Sequence, residues 1–234
     1  IVQPDFGLIT NVGKAHLEGF GSFEGVVNTK GELYDFLRRK PGGSIFLNAD
    51  NEHLCGIAAG LPAETYGLPG KGYDVEGEAV RCAPFLELRW RPKGGEWQEV
   101  KAQLIGAYNA TNALAAAAVG LHFGVTPEQI THALSHYCPT NNRSELKRTE
   151  RNTLVVDAYN ANPTSMQAAL DNFALMEGSA KLAILGEMRE LGEASAEEHE
   201  KVAQQACALT GTEVWFVGKN FAPFAPNFPH FDDV

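Results

Sequence analysis

Cysteine is scarce, with four in 234 residues. Cys55, Cys82, Cys138 and Cys207 lie far apart and make no C-x-x-C pair. A disulfide scaffold or a structural zinc site needs closely spaced or paired thiols, so neither is expected, and reduced cytoplasmic thiols are the default. Long apolar runs are missing too. A spanning helix needs about 20 consecutive apolar residues. The nearest approach, Leu114 to Leu121, is alanine-rich and follows a polar Asn-Ala-Thr-Asn stretch, which reads as a packed helix; no membrane insertion is expected. Positive charge is in deficit, 19 Lys and Arg against 29 Asp and Glu, for a net charge of −10. Nucleic-acid binders carry a basic face, so that class is set aside, whereas a site for one anionic nucleotide needs only a few cations gathered locally. No signal peptide, internal repeat or low-complexity tract is visible. Ile1 opens directly into a strand pattern and Phe231-Asp-Asp-Val234 ends without a cap, so both ends are expected to be cut.

What is present is the composition of a globular protein with a core: 44% hydrophobic and 21% charged residues. Phe6–Thr10 is a short apolar strand pattern running into a polar loop. Val26, Val27, Leu33, Phe36 and Leu37 form a helical stripe stopped at Pro41-Gly-Gly43, and Ser44–Asn48 is a second buried strand. Asp50 is expected to cap a helix running through Ala59. From Ala63 to Leu104 short alternating stretches are separated by Gly and Pro turns, with Pro92-Lys-Gly-Gly95 a hairpin connection, and a small antiparallel sheet beside the main one is expected. A helix from Asn109 to Phe123 follows, then another starting at Thr126-Pro127-Glu128 with an N-cap and proline at its first position. Tyr137–Arg143 is a polar break taken as the boundary between units at 1–139 and 140–234. Strand and helix then alternate again: Thr153–Asp157, Pro163–Met176, Lys181–Leu185, Ala196–Leu209 and Glu213–Val217. Such alternation predicts α/β layers built on mostly parallel sheet, the second unit Rossmann-like.

Chemistry-bearing residues gather just beyond the carboxyl ends of the expected strands, where open α/β sheets bind ligands. Thr10-Asn-Val-Gly-Lys-Ala-His16 places a histidine there; it reads as a metal ligand or as an ordinary surface-loop side chain. Gly13-Lys14 is not a phosphate loop, because Ala15 replaces the required Ser or Thr and the glycine spacing is wrong; Gly70-Lys-Gly72 fails likewise. Lys30 sits on the next helix, where spacing alone suggests only a solvated amine. Asn109 and Asn112 follow a glycine turn at a helix start, suited either to a polar ligand edge such as a nucleobase or to simple N-capping. Asp157, Asn160, Asn162 and Ser165 lie between a strand end and a helix, and Glu187 to Gly192 forms a similar loop; carboxylates so placed accept ribose hydroxyls. His132 and His136 are four apart on a helix, but zinc needs three or four ligands. His199, inside Glu197-Glu-His-Glu-Lys201, is expected to be solvated.

In this order, TNVGKAHLEGFGS around His16, GAYNATNALAA around Asn109, NNRS at Arg143, VVDAYNANPTSM around Asp157 and LGEMRELG around Glu187 resemble the Mur ligase family of ATP-dependent amide-forming enzymes. Within it, the DAYNANPTSM form with LGEMRELG is similar to the branch that adds D-alanyl-D-alanine to the UDP-N-acetylmuramoyl-tripeptide. The resemblance implies that His16 and Lys30 bind Mg²⁺, Lys30 as a carbamate. It implies that Asn109 and Asn112 approach the adenine of ATP, and that Arg143 and Asp157 reach its phosphate and ribose. Asn160, Asn162 and Ser165 would line the amino-acid side. A cytoplasmic monomer is implied. The family's UDP-sugar domain, phosphate loop and upstream magnesium-binding glutamate have no counterpart in these residues, so this stretch alone is not expected to complete the reaction. Alternatives are a non-catalytic nucleotide-binding module and a family ligase with another amino-acid substrate.

Overall fold

The computed structural model describes residues 2–14, 17–140 and 142–232. The first unit runs β1 (Phe6–Leu8), α1 (Leu17–Phe20), α2 (Phe23–Arg39), β2 (Ser44–Asn48), α3 (Glu52–Ala58), β3 (Ala63–Gly67), β4 (Val75–Arg81), β5 (Glu87–Pro92), β6 (Gln98–Lys101), α4 (Tyr108–His122) and α5 (Pro127–His136). Its strands form one six-stranded sheet in chain order. β1 to β4 pair in parallel, and β4, β5 and β6 pair antiparallel. The antiparallel strands therefore continue the parallel ones edge to edge.

A strand covered on both faces must be apolar at successive positions, and β2 shows how the sheet divides two cores. Ile45 and Leu47 face a cluster with Ile9, Tyr34, Leu37 and Leu54, built largely from α2 and α3. Phe46 between them belongs to the opposite cluster, with Tyr66, Val75, Trp90 and the alanines of α4. Burial in the first of these clusters pushes the Tyr34 phenol up to about 12. Gly77 stands opposite Trp90 in the β4–β5 register. A methyl at Gly77 would fall 2.5 Å from Leu114 Cδ2 and 2.7 Å from the Arg89 carbonyl oxygen, so glycine is what lets α4 and Trp90 close over this point.

The helix starts obey local chemistry, with one correction. Thr126 caps α5 in a reciprocal box with Gln129, and proline occupies the first turn. At α3 the cap is Asn51, which accepts from Leu54 N, and not Asp50. The Asp50 carboxylate is drawn instead to the loop after β3, where Leu68 N and Lys71 Nζ donate to it at 2.5 and 2.7 Å.

The second unit comprises β7 (Glu145–Arg148), β8 (Thr153–Val156), α6 (Pro163–Leu175), β9 (Lys181–Gly186), α7 (Ser195–Cys207), β10 (Thr212–Val217) and β11 (His230–Phe231). β9, β10 and β11 form a parallel sheet in the order β11-β10-β9. Strand–helix–strand through α7 makes this a Rossmann-like layer over a core of Leu170, Ala183, Val202, Val214, Phe216 and Phe221. β8, expected as a member of that layer, pairs instead with β7 as an antiparallel hairpin. The turn between them is closed by Thr149 N donating to Asn152 O, so the local partner is at hand without a crossover. No described helix is long and apolar enough to cross a membrane.

Candidate functional site

The loop leaving β1 is the first part of the site. Lys30, half-buried on α2, turns toward this loop and donates to the Asn11 carbonyl oxygen at 2.8 Å. Burial pulls its amine below the usual lysine range, because the charged form loses solvent. Lys30 is thus a half-buried amine held at a strand end, its charged form disfavoured by burial, in place of the solvated side chain that spacing alone suggested. His16 lies outside the described residues. No group of three or more His, Cys, Asp or Glu suited to a metal occurs among the described residues. His132 and His136 stack on each other at 4.1 Å, and His136 Nδ1 bonds the His132 carbonyl oxygen.

The second part bridges the two units. Gly106, at φ +90°, turns the chain into α4, and Asn109 sits inside the helix rather than capping it. Its side chain is buried and consumed locally: Nδ2 donates to Ile105 O at 2.8 Å, and Oδ1 accepts from Asn112 Nδ2 at 3.1 Å. Asn112 is exposed, its Nδ2 engaged only by that bond to Asn109 among the described residues. Across the boundary, Ser144 is held at φ +51°, and its backbone N–H donates to Asp157 Oδ1 at 3.4 Å. Its hydroxyl bonds Tyr108 Oη, which also donates to Asp157 Oδ2 at 3.5 Å. Neighbouring protein atoms push the Asp157 carboxyl up despite the bonds from Ser144 and Tyr108 and the Arg143 charge. The Arg143 guanidinium lies 3.7 Å from the Tyr159 ring centroid, a stacked cation on an exposed aromatic. Arg143 and Asp157 thus gather with Tyr108, Ser144 and Tyr159, and Asn112 reaches them only through Asn109, whose Nδ2 lies 3.5 Å from Ser144 Oγ. Tyr108, Ser144 and Tyr159 went unread in the sequence, although each lies inside a motif already singled out.

The third part is the start of α6. Asn162 is its N-cap, accepting from Ser165 N at 3.0 Å, while Ser165 Oγ accepts from Asn162 N at 3.2 Å. This reciprocal box occupies both side chains, so they shape the helix start; Asn160 beside them is exposed. Asn162→Ala is expected to cost about 0.5–2 kcal/mol of stability by loss of the cap, read as a lowered urea midpoint. An unchanged midpoint would show that the box contributes nothing. A cavity of about 250 Å³ lies between this helix start and the β1 loop, lined by Gly13, Lys14, His53, Thr164, Gln167 and Lys201 among others.

His199 departs from expectation. It is fully buried, with Met188 N donating to Nε2 at 3.0 Å and Nδ1 2.7 Å from Ser195 O. A backbone N–H can donate only to an unprotonated ring nitrogen, so Nε2 is the acceptor and the ring hydrogen is assigned to Nδ1, facing Ser195 O. The charged neighbours Glu197 and Lys201 misled the reading, since His199 lies on the inner face of α7 against Phe221.

Comparison with known proteins bears on this arrangement. The family model for the Mur ligase middle domain matches residues 1–120, and that for the Mur ligase glutamate ligase domain matches residues 142–226. The UDP-N-acetylmuramoyl-tripeptide–D-alanyl-D-alanine ligase of Mycobacterium tuberculosis is 34% identical over 228 residues, covering 93% of this chain and 44% of the relative. That of Escherichia coli is 31% identical over 224 residues, covering 94% and 49%. Among solved structures, MurF from Acinetobacter baumannii superposes with a TM-score of 0.85 at 27% identity, covering 98% of this chain and 51% of that one. MurF from Thermotoga maritima, solved with ADP, gives 0.81 at 23% identity, covering 95% and 51%, a likeness of fold. The chain spans about half the length of the curated relatives it matches. With one family model covering the first half and a second covering most of the remainder, the chain belongs to the Mur ligase family.

Proposed function

We propose that this chain supplies the middle and C-terminal units, residues 1–139 and 140–234, of an ATP-dependent ligase that joins D-alanyl-D-alanine to the UDP-N-acetylmuramoyl-tripeptide. The observation that carries the reading is the position of Lys30: a half-buried amine, its charged form disfavoured, bonded to the loop that leaves a parallel strand. A neutral amine adds to carbon dioxide, the nitrogen bonding the carbon and releasing a proton, and a cation becomes a carboxylate-like oxygen donor. Such oxygens suit Mg²⁺, and His16 would be its partner ligand. When bound, Mg²⁺ would neutralise charge on phosphate oxygens. The relatives' names and the ADP found with the Thermotoga maritima enzyme support the choice of substrates.

In this reading the exposed Asn112 amide meets the adenine, Asp157 accepts a ribose hydroxyl, and Arg143 swings from Tyr159 to phosphate. Asn109 and the Asn162–Ser165 box hold the backbone that presents these groups. The tripeptide carboxylate bonds the γ-phosphorus as ADP leaves, and the dipeptide amine then attacks the acyl carbon, losing a proton as phosphate departs. No phosphate loop occurs in these residues, so the triphosphate contacts are outside this assignment. The test is phosphate release by the full-length gene product with ATP, Mg²⁺, the UDP-muramoyl-tripeptide and D-alanyl-D-alanine. Release is expected only with both acceptor and dipeptide present. Release supported equally by single amino acids would overturn the dipeptide assignment, and none from folded protein would overturn the ligase itself.

A further inference from the structure

The β1 loop and α1 belong to the first unit by sequence, yet the second unit holds them on both sides. Lys14 Nζ donates to Glu198 Oε1 at 2.7 Å, and the Glu198 side chain is only 4% exposed. Burial alone would raise that carboxyl, but Lys14 and Lys201 outweigh it and hold it below the usual range, so it is charged and paired. On the far side of residues 15–16, Leu17 packs against the second unit's core cluster. Glu18 N donates to the Glu190 carbonyl oxygen at 3.1 Å. That carbonyl is aimed by an unusual backbone: Glu190 is at φ +62° and Gly192 at φ +54°. A Cβ at Gly192 would lie 3.7 Å from Glu18 Cα, so the two backbones run close together.

A non-glycine residue in the left-handed region persists only where surrounding contacts hold it. Two residues before Glu190 the loop is tied to α7 by His199, whose Nε2 takes the Met188 N–H. The adjacent residues Glu198 and His199 therefore reach Lys14 and Glu18 by two routes, Glu198 directly and His199 through the Glu187–Gly192 loop. We infer that Glu198 and His199 are positioning residues, a two-pronged clamp on α7 that holds Lys14 on one side and Leu17–Glu18 on the other against the second unit. Its meaning for catalysis rests on the ligase reading above, in which His16, next to Leu17 in sequence, is a magnesium ligand; the clamp itself does not.

The experiment is hydrogen exchange on the full-length protein, followed on peptides spanning residues 10–20. Glu198→Gln is expected to speed exchange there about five- to tenfold, because an ion-paired bond is lost at a partly exposed site, with β2 and β10 peptides unchanged. Lys14→Met should do the same, and the double variant should add nothing further. His199→Leu is expected to loosen both the 187–192 loop and the Leu17–Glu18 amides, while His199→Gln, which keeps an acceptor, restores protection. Unchanged exchange at 10–20 in Glu198→Gln, or an equal rise in every peptide, overturns the clamp. Exchange needs no turnover: the expected pattern in a protein that releases no phosphate supports the clamp and removes the ligase reading alone.

Discussion

Lys30→Ala in the full-length protein is expected to lower phosphate release about 10²–10³-fold, the loss usual when one preorganised charge-stabilising group is removed. Burial lowers the pKa of the Lys30 amine, so the neutral fraction grows as pH rises through that lowered value, and only the neutral amine adds to carbon dioxide. Activity should therefore fall when carbon dioxide and bicarbonate are stripped from the buffer, and fall further toward acid. Lys30→Arg keeps the cation but cannot form the carbamate, and is expected to be as inactive as alanine. Folding should not suffer in step. A lysine whose folded pKa is depressed penalises the fold while protonated, and the penalty fades as pH rises, so its removal costs little beyond the bond to Asn11. An active Lys30→Arg enzyme, or insensitivity of the wild type to carbon dioxide, would remove the carbamate from the mechanism.

Trp90→Ala is expected to destabilise the first unit by about 3–5 kcal/mol, the range for deleting a large buried aromatic. Trp90 is 0% exposed. It lies in the cluster built on β4, β5, α4 and α5, and its Nε1 donates to Thr131 Oγ1 at 3.2 Å. The truncation leaves a cavity that Gly77, its cross-strand neighbour, has no side chain to fill, and strands the Thr131 hydroxyl. Urea unfolding should show a lower midpoint at unchanged slope. Trp90→Phe, which keeps most of the apolar volume, should cost clearly less. A loss under about 1 kcal/mol for alanine would mean that this face collapses to refill the space, and is not close-packed around the indole.

The alternation of short apolar strands with amphipathic helices was enough to read an α/β fold, because a parallel strand buried on both faces has to be apolar at consecutive positions. Ser44–Asn48 shows this, as does the Thr126 cap with its proline. Likewise the clustering of Asn, Asp and Arg beyond strand ends pointed to a polar cleft and, with the motif order, to the family. Side-chain direction was beyond that reach. Asn109 and Asn112 look alike in sequence, yet one is buried and bonded to Ile105 while the other is exposed, since three residues turn a helix onto a neighbouring but different face. Asn162 and Ser165 close a reciprocal capping box at the start of α6, which their spacing alone did not distinguish from a ligand site. His199 sat among charges and proved to be core, because α7 turns it inward against Phe221. Strand partnership was also undecidable: β8 is equally apolar whether it joins a parallel layer or a hairpin, and only the nearby turn to β7 settled it. The sequence by itself determined the layered α/β architecture, the family and the polar loops, since these follow from local periodicity and motif order. Tertiary structure alone decided which of those polar groups are spent inside the protein and which stay exposed, because that depends on contacts between residues far apart in the chain, such as Lys14 with Glu198 and Tyr108 with Ser144.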